Sequence, residues 1–411
     1  MAREFKDSGI EWIGQIPKEW GMVKYKFFAS SRMGETILSE DTADEGVPIY
    51  SATQGSQIFG YIKNPKLILT AGDFVIPARG NSIGCVSIVT DDVATCTQTT
   101  ICSCDIHNIY NIFLYYCSLG LKEYWFRYDG SAIPQITVNQ VNNNIVICPP
   151  FSEQQKIADY LDKVCGEVDE MVALQETMIE ELKAYKQSVI TEAVTKGLDP
   201  NVPMRNSGID WIGEIPEHWE QHQFRRIFEI KKIIAGTLGY DVLSVTQNGI
   251  KVKDLTKNEG QIAQDYSKYQ LVDVDDYVMN HMDLLTGYVD CSKQNGVTSP
   301  DYRVFRAIDK SEISLAYYLK IFQTCYKEKI FYHLGQGVSG MGRWRLPAEQ
   351  LKLFVLPMPP LSEQLQIASY LDAKCSEIDA LITLKQAKIE ELKEYKKSVI
   401  YEYVTGKKEV V

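Results

Sequence analysis

The chain has 411 residues, 45% of them hydrophobic and 24% charged, a composition that fits folded domains and excludes a disordered or low-complexity chain. Its formal net charge of −11 argues against a uniformly basic nucleic-acid binder but leaves room for local basic loops. No run of 18 apolar residues and no charged-then-apolar leader occurs, so the chain is expected to be neither membrane-spanning nor secreted, and to act in the cytoplasm.

Residues 7–20 read DSGIEWIGQIPKEW and residues 206–219 read NSGIDWIGEIPEHW, with nine of fourteen positions identical. Turn formers at Ser8, Gly9, Gly14 and Pro17 hold Trp12, Ile13, Ile16 and Trp20, the pattern of a short buried latch rather than a reactive site. His218 and His222 stand at helical ligand spacing, but Pro216 precedes them and Glu19 takes the first position in the other copy, so a metal site is not expected.

Two bodies follow these motifs, about residues 21–148 and 220–358. Short β-rich runs such as LILTAGDFVIPA and VSIVTDDVATCTQTTICSC, punctuated by Gly, Asn and Asp, predict a twisted sheet. One aromatic helix is expected in each body, from IYNIFLYYCSLGLKEYWF and ISLAYYLKIFQTCYKEKIFYHL. Gly72-Asp73-Phe74-Val75-Ile76 corresponds to Asp275-Asp276-Tyr277-Val278-Met279, and Gly84 to Gly287; elsewhere the bodies diverge. In the first body the turn from Pro77 to Gly84 carries Arg79, Asn81 and Ser82. A guanidinium can bond guanine bidentately, an amide can bond adenine, and glycine permits close approach to phosphate. Gln98 and Arg127 extend this candidate DNA-binding surface. In the second body, the glycine-rich loop from Gly335 to Arg345 carries Gln336, Ser339, Arg343, Trp344 and Arg345. Lys251 and Lys253, with Arg225, Arg226, Lys231 and Lys232, are candidate phosphate contacts. Taken singly, each loop is also an ordinary surface turn with a cation in it.

Each body is followed by one copy of a long amphipathic segment. Pro149–Thr195 and Pro359–Thr405 align without a gap, 27 of 47 positions identical, which marks an internal duplication. Ser152 and Ser362 are the expected helix caps, with Gln155 completing a capping box in the first copy and Leu365 in its place in the second. Apolar residues recur at steps of three and four: Ile157, Leu161, Val164, Val168, Met171, Leu174, Met178, Leu182, Tyr185 and Val189, then Ile367, Leu371, Ile378, Leu381, Leu384, Leu392, Tyr395 and Val399. Among them Ile157, Leu161, Val168, Leu182, Tyr185, Val189, Ile367, Leu371, Ile378, Leu392, Tyr395 and Val399 are the expected helix-pairing or partner-interface positions. Gly197 and Gly406 supply the stops, and Gly166 marks an expected bend in a rod of roughly 66 Å. Two matching stripes favour an antiparallel pair; the alternative is that each helix lies on its own domain. The expected fold is α+β: two α/β domains, 1–148 and 198–358, separated by a pair of long antiparallel coiled-coil helices, 149–197 and 359–411, in a pseudo-two-fold internal repeat.

Catalysis finds little support. There is no GxxxxGK[ST] phosphate loop and no HExxH. Cys148-Pro149-Pro150-Phe151 and Met358-Pro359-Pro360-Leu361 lack the Asn or Asp that a nucleotide-methylating motif places before Pro-Pro-aromatic, so no catalytic residue is assigned. The ten cysteines show no metal or disulfide spacing and are read as small apolar side chains.

The pattern PPxSEQxxIAxYLD, then IEELKxYKxSVI and VT, twice, behind two SGI[ED]WIGxIPxxW motifs, resembles the specificity subunit of type I restriction-modification systems over the entire chain. The resemblance implies a non-catalytic subunit whose two domains are target-recognition domains, each reading one half of a split double-stranded DNA sequence. It further implies that the helices dock two methylation subunits, which hold S-adenosylmethionine and modify adenine, and that restriction subunits can join for ATP-dependent translocation and cleavage. The competing reading is a coiled-coil adaptor with two protein-binding heads and no DNA.

Overall fold

The structure, a computed structural model, describes residues 3–52, 58–128, 134–254, 265–337 and 344–410. Two compact units are present: Met1–Thr177 with Lys385–Val411, and Met178–Leu384. Each contains the first part of one long helix and the last part of the other. No helix among the described residues is long and apolar enough to cross a membrane.

The first unit is built on a four-stranded antiparallel sheet in the order Ser30–Met33, Thr100–Cys104, Phe74–Pro77, Ser87–Ile88. Thr100–Cys104 is central and buried along its whole length. A second sheet joins Ile58–Ile62, Val47–Tyr50 and Thr95–Cys96, the last pair parallel. The aromatic segment forms a helix over Asn111–Gly120 and a one-turn helix over Lys122–Trp125, interrupted at Leu121 rather than continuous. The second unit repeats the plan with Phe228–Lys231, Arg303–Ala307, Tyr277–Met279 and Val289–Cys291, in that order. Its aromatic helix spans Leu315–Lys327 and ends before Lys329, which takes a left-handed φ of 58°. Phe224, Phe228, Tyr277, Phe305 and Phe322 pack there ring against ring.

The duplicated opening motif closes each body. Phe5–Asp7 pairs with Gln15–Pro17, and Gly21–Lys24 pairs with Ile145–Cys148, the strand that leads into Pro149-Pro150. The second copy pairs Met204–Asn206 with Glu214–Pro216, and Glu220–Gln223 with Val355–Met358. Trp20 and Trp219 are both buried, as a latch requires.

The long helices span Phe151–Lys196 and Leu361–Val404, the first running unbroken through Gly166. The expected caps need correcting. Pro150 O already accepts from the Glu153 and Gln154 amides, so Ser152 lies inside the first turn and the box with Gln155 does not form. Proline's fixed φ favours the start of a helix, and the first turn begins at Phe151, two residues earlier than a Ser152 cap would place it. Gln154 organises the start instead: its Nε2 donates to Pro149 O at 2.9 Å and its Oε1 accepts from Tyr110 N at 2.8 Å. Gln364 repeats this with Pro359 O at 2.9 Å and Ser314 N at 2.8 Å.

Antiparallel pairing is visible inside each unit. Lys396 bonds Asp169 at 2.7 Å in the first, and Lys186 bonds Asp379 at 2.6 Å in the second, the same two repeat positions with the helices exchanged. Inside the first unit Lys385 Nζ donates to Gln175 Oε1 at 3.2 Å, so one repeat position meets its own equivalent. The seam itself runs in a different phase from part of the expected stripe. Its inward positions are Leu161, Cys165, Val168, Val172, Gln175, Ile179, Leu182 and Lys186, and in the other helix Leu371, Cys375, Ile378, Ile382, Lys385, Ile389, Leu392 and Lys396. Ile157, Ile367 and Val399 are also buried and Val189 half-buried. Tyr185 and Tyr395, each 51% exposed, turn away from the helix pair, as do Met171, Leu174, Leu381 and Leu384. Apolar residues on both sides of the seam made adjacent choices such as Met178 or Ile179 equivalent by period, and a seven-residue repeat keeps only the second.

Candidate nucleic-acid interface

In the first unit, strand Phe74–Pro77 leaves the central sheet and enters the loop 78–84. The base of this loop is fixed from two sides: Ala78 N donates to Thr99 O at 2.9 Å, and Ile136 N donates to Ala78 O at 2.9 Å. Gly80 N adds a bond to Pro134 O at 3.1 Å, so Arg79 and Gln135 form an isolated backbone bridge with both side chains exposed. Asn81 and Gln98 are exposed as well, and Gln98 Oε1 accepts from Thr36 Oγ1 at 2.9 Å next to the Thr99 anchor. The structure thus brings Arg79, Asn81 and Gln98 into one loop cluster and adds Gln135. Ser82 is spent differently: it is buried, and its hydroxyl donates to Ala52 O at 2.6 Å. Arg127 folds back on its own segment, its Nε on Glu123 O at 3.0 Å and its guanidinium 5.3 Å from the Tyr124 ring centre. The loop closes on Gly84, where a Cβ would stand 2.4 Å from the Phe126 ring.

The second unit shares the position of this loop and one of its anchoring bonds, with different side chains and a different set of further bonds. Strand Tyr277–Met279 leads into 281–287, and Leu346 N donates to His281 O at 2.9 Å, the counterpart of Ile136 on Ala78. Leu284 N donates to Trp344 O at 3.3 Å, and Arg345 exchanges backbone bonds with Gln336 at 2.8 and 3.0 Å. Gln336 and Arg345 are exposed. Trp344 is half-buried; its indole N–H donates to Tyr332 O at 2.6 Å and its ring stacks on Tyr332, so it anchors the segment. Lys253 lines a cavity of about 370 Å³ together with Met282, Tyr269 and Ser299, while Lys251 is exposed on the hairpin strand Gly249–Val252. Ser339 and Arg343 lie outside the described residues. Lys231 is removed from the phosphate candidates: it is buried, with Nζ at 2.6 Å from both Asp273 and Asp276.

Arg3 and Arg306 are paired with Glu153 and Glu229, whereas among the described residues neither Arg79 nor Arg345 pairs with a carboxylate. His281 sits in the same corner as Arg345 and the buried Arg303, whose guanidinium donates to Leu346 O at 3.1 Å. Burial first, then these two cations, push the His281 imidazole down to about 4, and its buried Nδ1 has no partner among the described residues. Gln135, His281 and Met282 escaped the sequence reading, although the matched glycines Gly84 and Gly287 already marked the two loops as equivalent. His218 and His222 do not converge on a metal: they bond Glu363 and Glu220 respectively, each at 2.7 Å.

A family profile described as Type I restriction modification DNA specificity domain matches residues 17–184 and 216–394. Similar proteins include the type I restriction enzyme MjaVIII specificity subunit of Methanocaldococcus jannaschii, 24% identical, the alignment covering 96% of this chain and 94% of that protein. The type I restriction enzyme EcoDI specificity subunit of Escherichia coli is 22% identical over 55% of this chain and 53% of that protein. Among solved structures, a chain from work on complex assembly and conformational transition of the type I R-M system superposes with a TM-score of 0.69 at 14% identity, covering 95% of this chain and 98% of that one. At that identity the likeness concerns the fold.

Proposed function

Because the chain belongs to the type I restriction-modification DNA specificity family, as a non-catalytic subunit with two recognition domains, we propose that it reads a bipartite, asymmetric DNA target, one block per unit. The observation that carries this is the pair of equivalent loops, each tied at its base by one matching backbone bond, Ile136 N to Ala78 O and Leu346 N to His281 O, yet bearing different side chains, each with an exposed arginine unpaired among the described residues. A duplicated frame with divergent loops suits two different base sequences, and a guanidinium free of carboxylates suits base edges or phosphates.

The helices dock two methylation subunits in this reading. Support comes from exposed apolar residues that recur at the same repeat positions: Met171 and Leu381, Leu174 and Leu384, Tyr185 and Tyr395, at 50 and 42%, 57 and 66%, 51 and 51% exposure. One patch occurring twice fits two copies of one partner. S-adenosylmethionine and adenine methylation then belong to that partner, and restriction subunits join the same assembly. The test is to assemble the chain with its methylation subunit, methylate genomic DNA and sequence the modified bases. Two specified blocks separated by an unspecified spacer are expected; DNA modified without such a pattern, or no DNA binding by the assembly, would leave the protein-adaptor reading that the net charge of −11 favours.

A further inference from the structure

We infer that the two half-sites are read at the same two loop positions in each unit, Arg79 with Gln135 in the first and Met282 with Arg345 in the second, with the chemistry exchanged between them. This rests on the proposed DNA reading and names the residues that set its specificity. Aligned from the shared strand Phe74–Pro77 and Tyr277–Met279, Arg79 corresponds to Met282; aligned from the shared bond of Ile136 and Leu346, Gln135 corresponds to Arg345. Both loops run six residues from the bonded carbonyl, Ala78 or His281, to the matched glycine, Gly84 or Gly287. Ile136 and Leu346 are buried, so the second member of each pair projects from a segment fixed in the core. A long side chain on a fixed base is what direct readout needs, because misplacement by an ångström loses a bidentate bond.

The pairs divide the work differently. In the first unit the guanidinium of Arg79 offers two parallel donors to guanine O6 and N7, and the amide of Gln135 offers donor and acceptor to adenine N6 and N7. In the second unit the guanidinium has moved to Arg345, beside the electropositive corner of Arg303 and His281, and Met282, half-buried on the wall of the cavity beside Lys253, offers an apolar side chain suited to a thymine methyl. The two units would therefore prefer different base steps while approaching DNA through the same backbone frame.

The experiment uses the full chain assembled with its methylation subunit and selects bound duplexes from a random-sequence library. The double variant Arg79→Met with Gln135→Arg should change base preference in one block only, and Met282→Arg with Arg345→Gln in the other only. The spacer and the untouched block should stay as in the wild type. Loss at the affected base should be about 5- to 150-fold. Arg79→Lys and Arg345→Lys, which keep the charge and lose the fork, decide the matter by the same criterion if a double variant fails to assemble. Uniform weakening with an unchanged selected sequence would assign these residues to phosphate and overturn the inference, as would altered preference in both blocks from one variant; the wild type's two blocks would still stand. A wild-type assembly that selects no two-block sequence overturns the inference and the DNA reading together.

Discussion

Glu153 and Glu363 carry more of each unit than their place in an exposed first turn suggests. Glu153 accepts from the buried Trp20 indole at 3.0 Å and from Arg3 at 2.6 Å, and Glu363 accepts from Trp219 at 2.9 Å and His218 at 2.7 Å. Glu153→Ala should lower stability by about 1–3 kcal/mol in urea unfolding, since it strands a buried donor, and Glu153→Gln, which keeps an acceptor, by less. His281 gives a pH signature. Its folded value, about 4, lies below the ordinary 6.5, so the unfolded chain binds the extra proton between these values. The stabilising contribution is complete above about pH 6.5 and is lost as the pH falls toward 4. Acidifying from pH 7 to 5 should therefore destabilise the second unit by up to about 2 kcal/mol, and His281→Phe should flatten that slope in thermal melts at the two pH values. At this scale the sequence was legible in kind but not in partner. The repeated Ser-Glu-Gln announced helix starts, yet the Glu–Trp bond spans over a hundred residues, and Ser82 looked available until the chain folded it onto Ala52.

Between the two long helices, burial outweighs charge. The cross-helix pairs Lys186–Asp379 and Lys396–Asp169 have carboxylates about 60% exposed, which places each at less than about 1 kcal/mol. Leu161 and Leu371 are wholly buried, and their replacement by alanine should cost about 2–5 kcal/mol. Chemical denaturation of Leu161→Ala and Lys396→Ala should separate by that margin; equal losses would show that the ion pairs hold the helices. The existence, length and doubling of these helices could be read from the sequence because a long periodic segment accumulates signal with every turn. The seam's phase could not, because Met171 and Val172, Met178 and Ile179 satisfy hydrophobic periodicity equally, and Gln175, Lys186, Lys385 and Lys396 put polar side chains on the inward stripe. The aromatic helices were likewise visible, but their interruptions at Leu121 and Lys329 depend on packing and on a left-handed residue that no periodicity marks.

For the molecule as a whole, the acidic balance and the duplicated apolar positions predict a division of labour. The isolated chain should bind DNA weakly, and the methylation partner should make binding tight and salt-sensitive; tight sequence-specific binding by the chain alone in about 0.15 M salt would refute that. Leu174→Glu with Leu384→Glu, both on exposed positions, should abolish assembly in gel filtration while leaving the melting temperature within a few degrees of the wild type. The two units also differ in how they are written along the chain. The second occupies one continuous stretch, Met178–Leu384, whereas the first needs Lys385–Val411 to be complete. Val399, Ile400, Tyr403 and Val404 belong to its core, and Gly406 lies against Pro17 and Trp20, where a Cβ would come within 2.5 Å of the proline ring. During synthesis the half translated first is consequently the half finished last: its hydrophobic face stays open while the ribosome reads more than two hundred further codons, and the later half is already closed. A chain truncated after residue 384 and released should yield a protease-resistant second unit beside a degraded first one, so a late truncation disables the unit that was translated first.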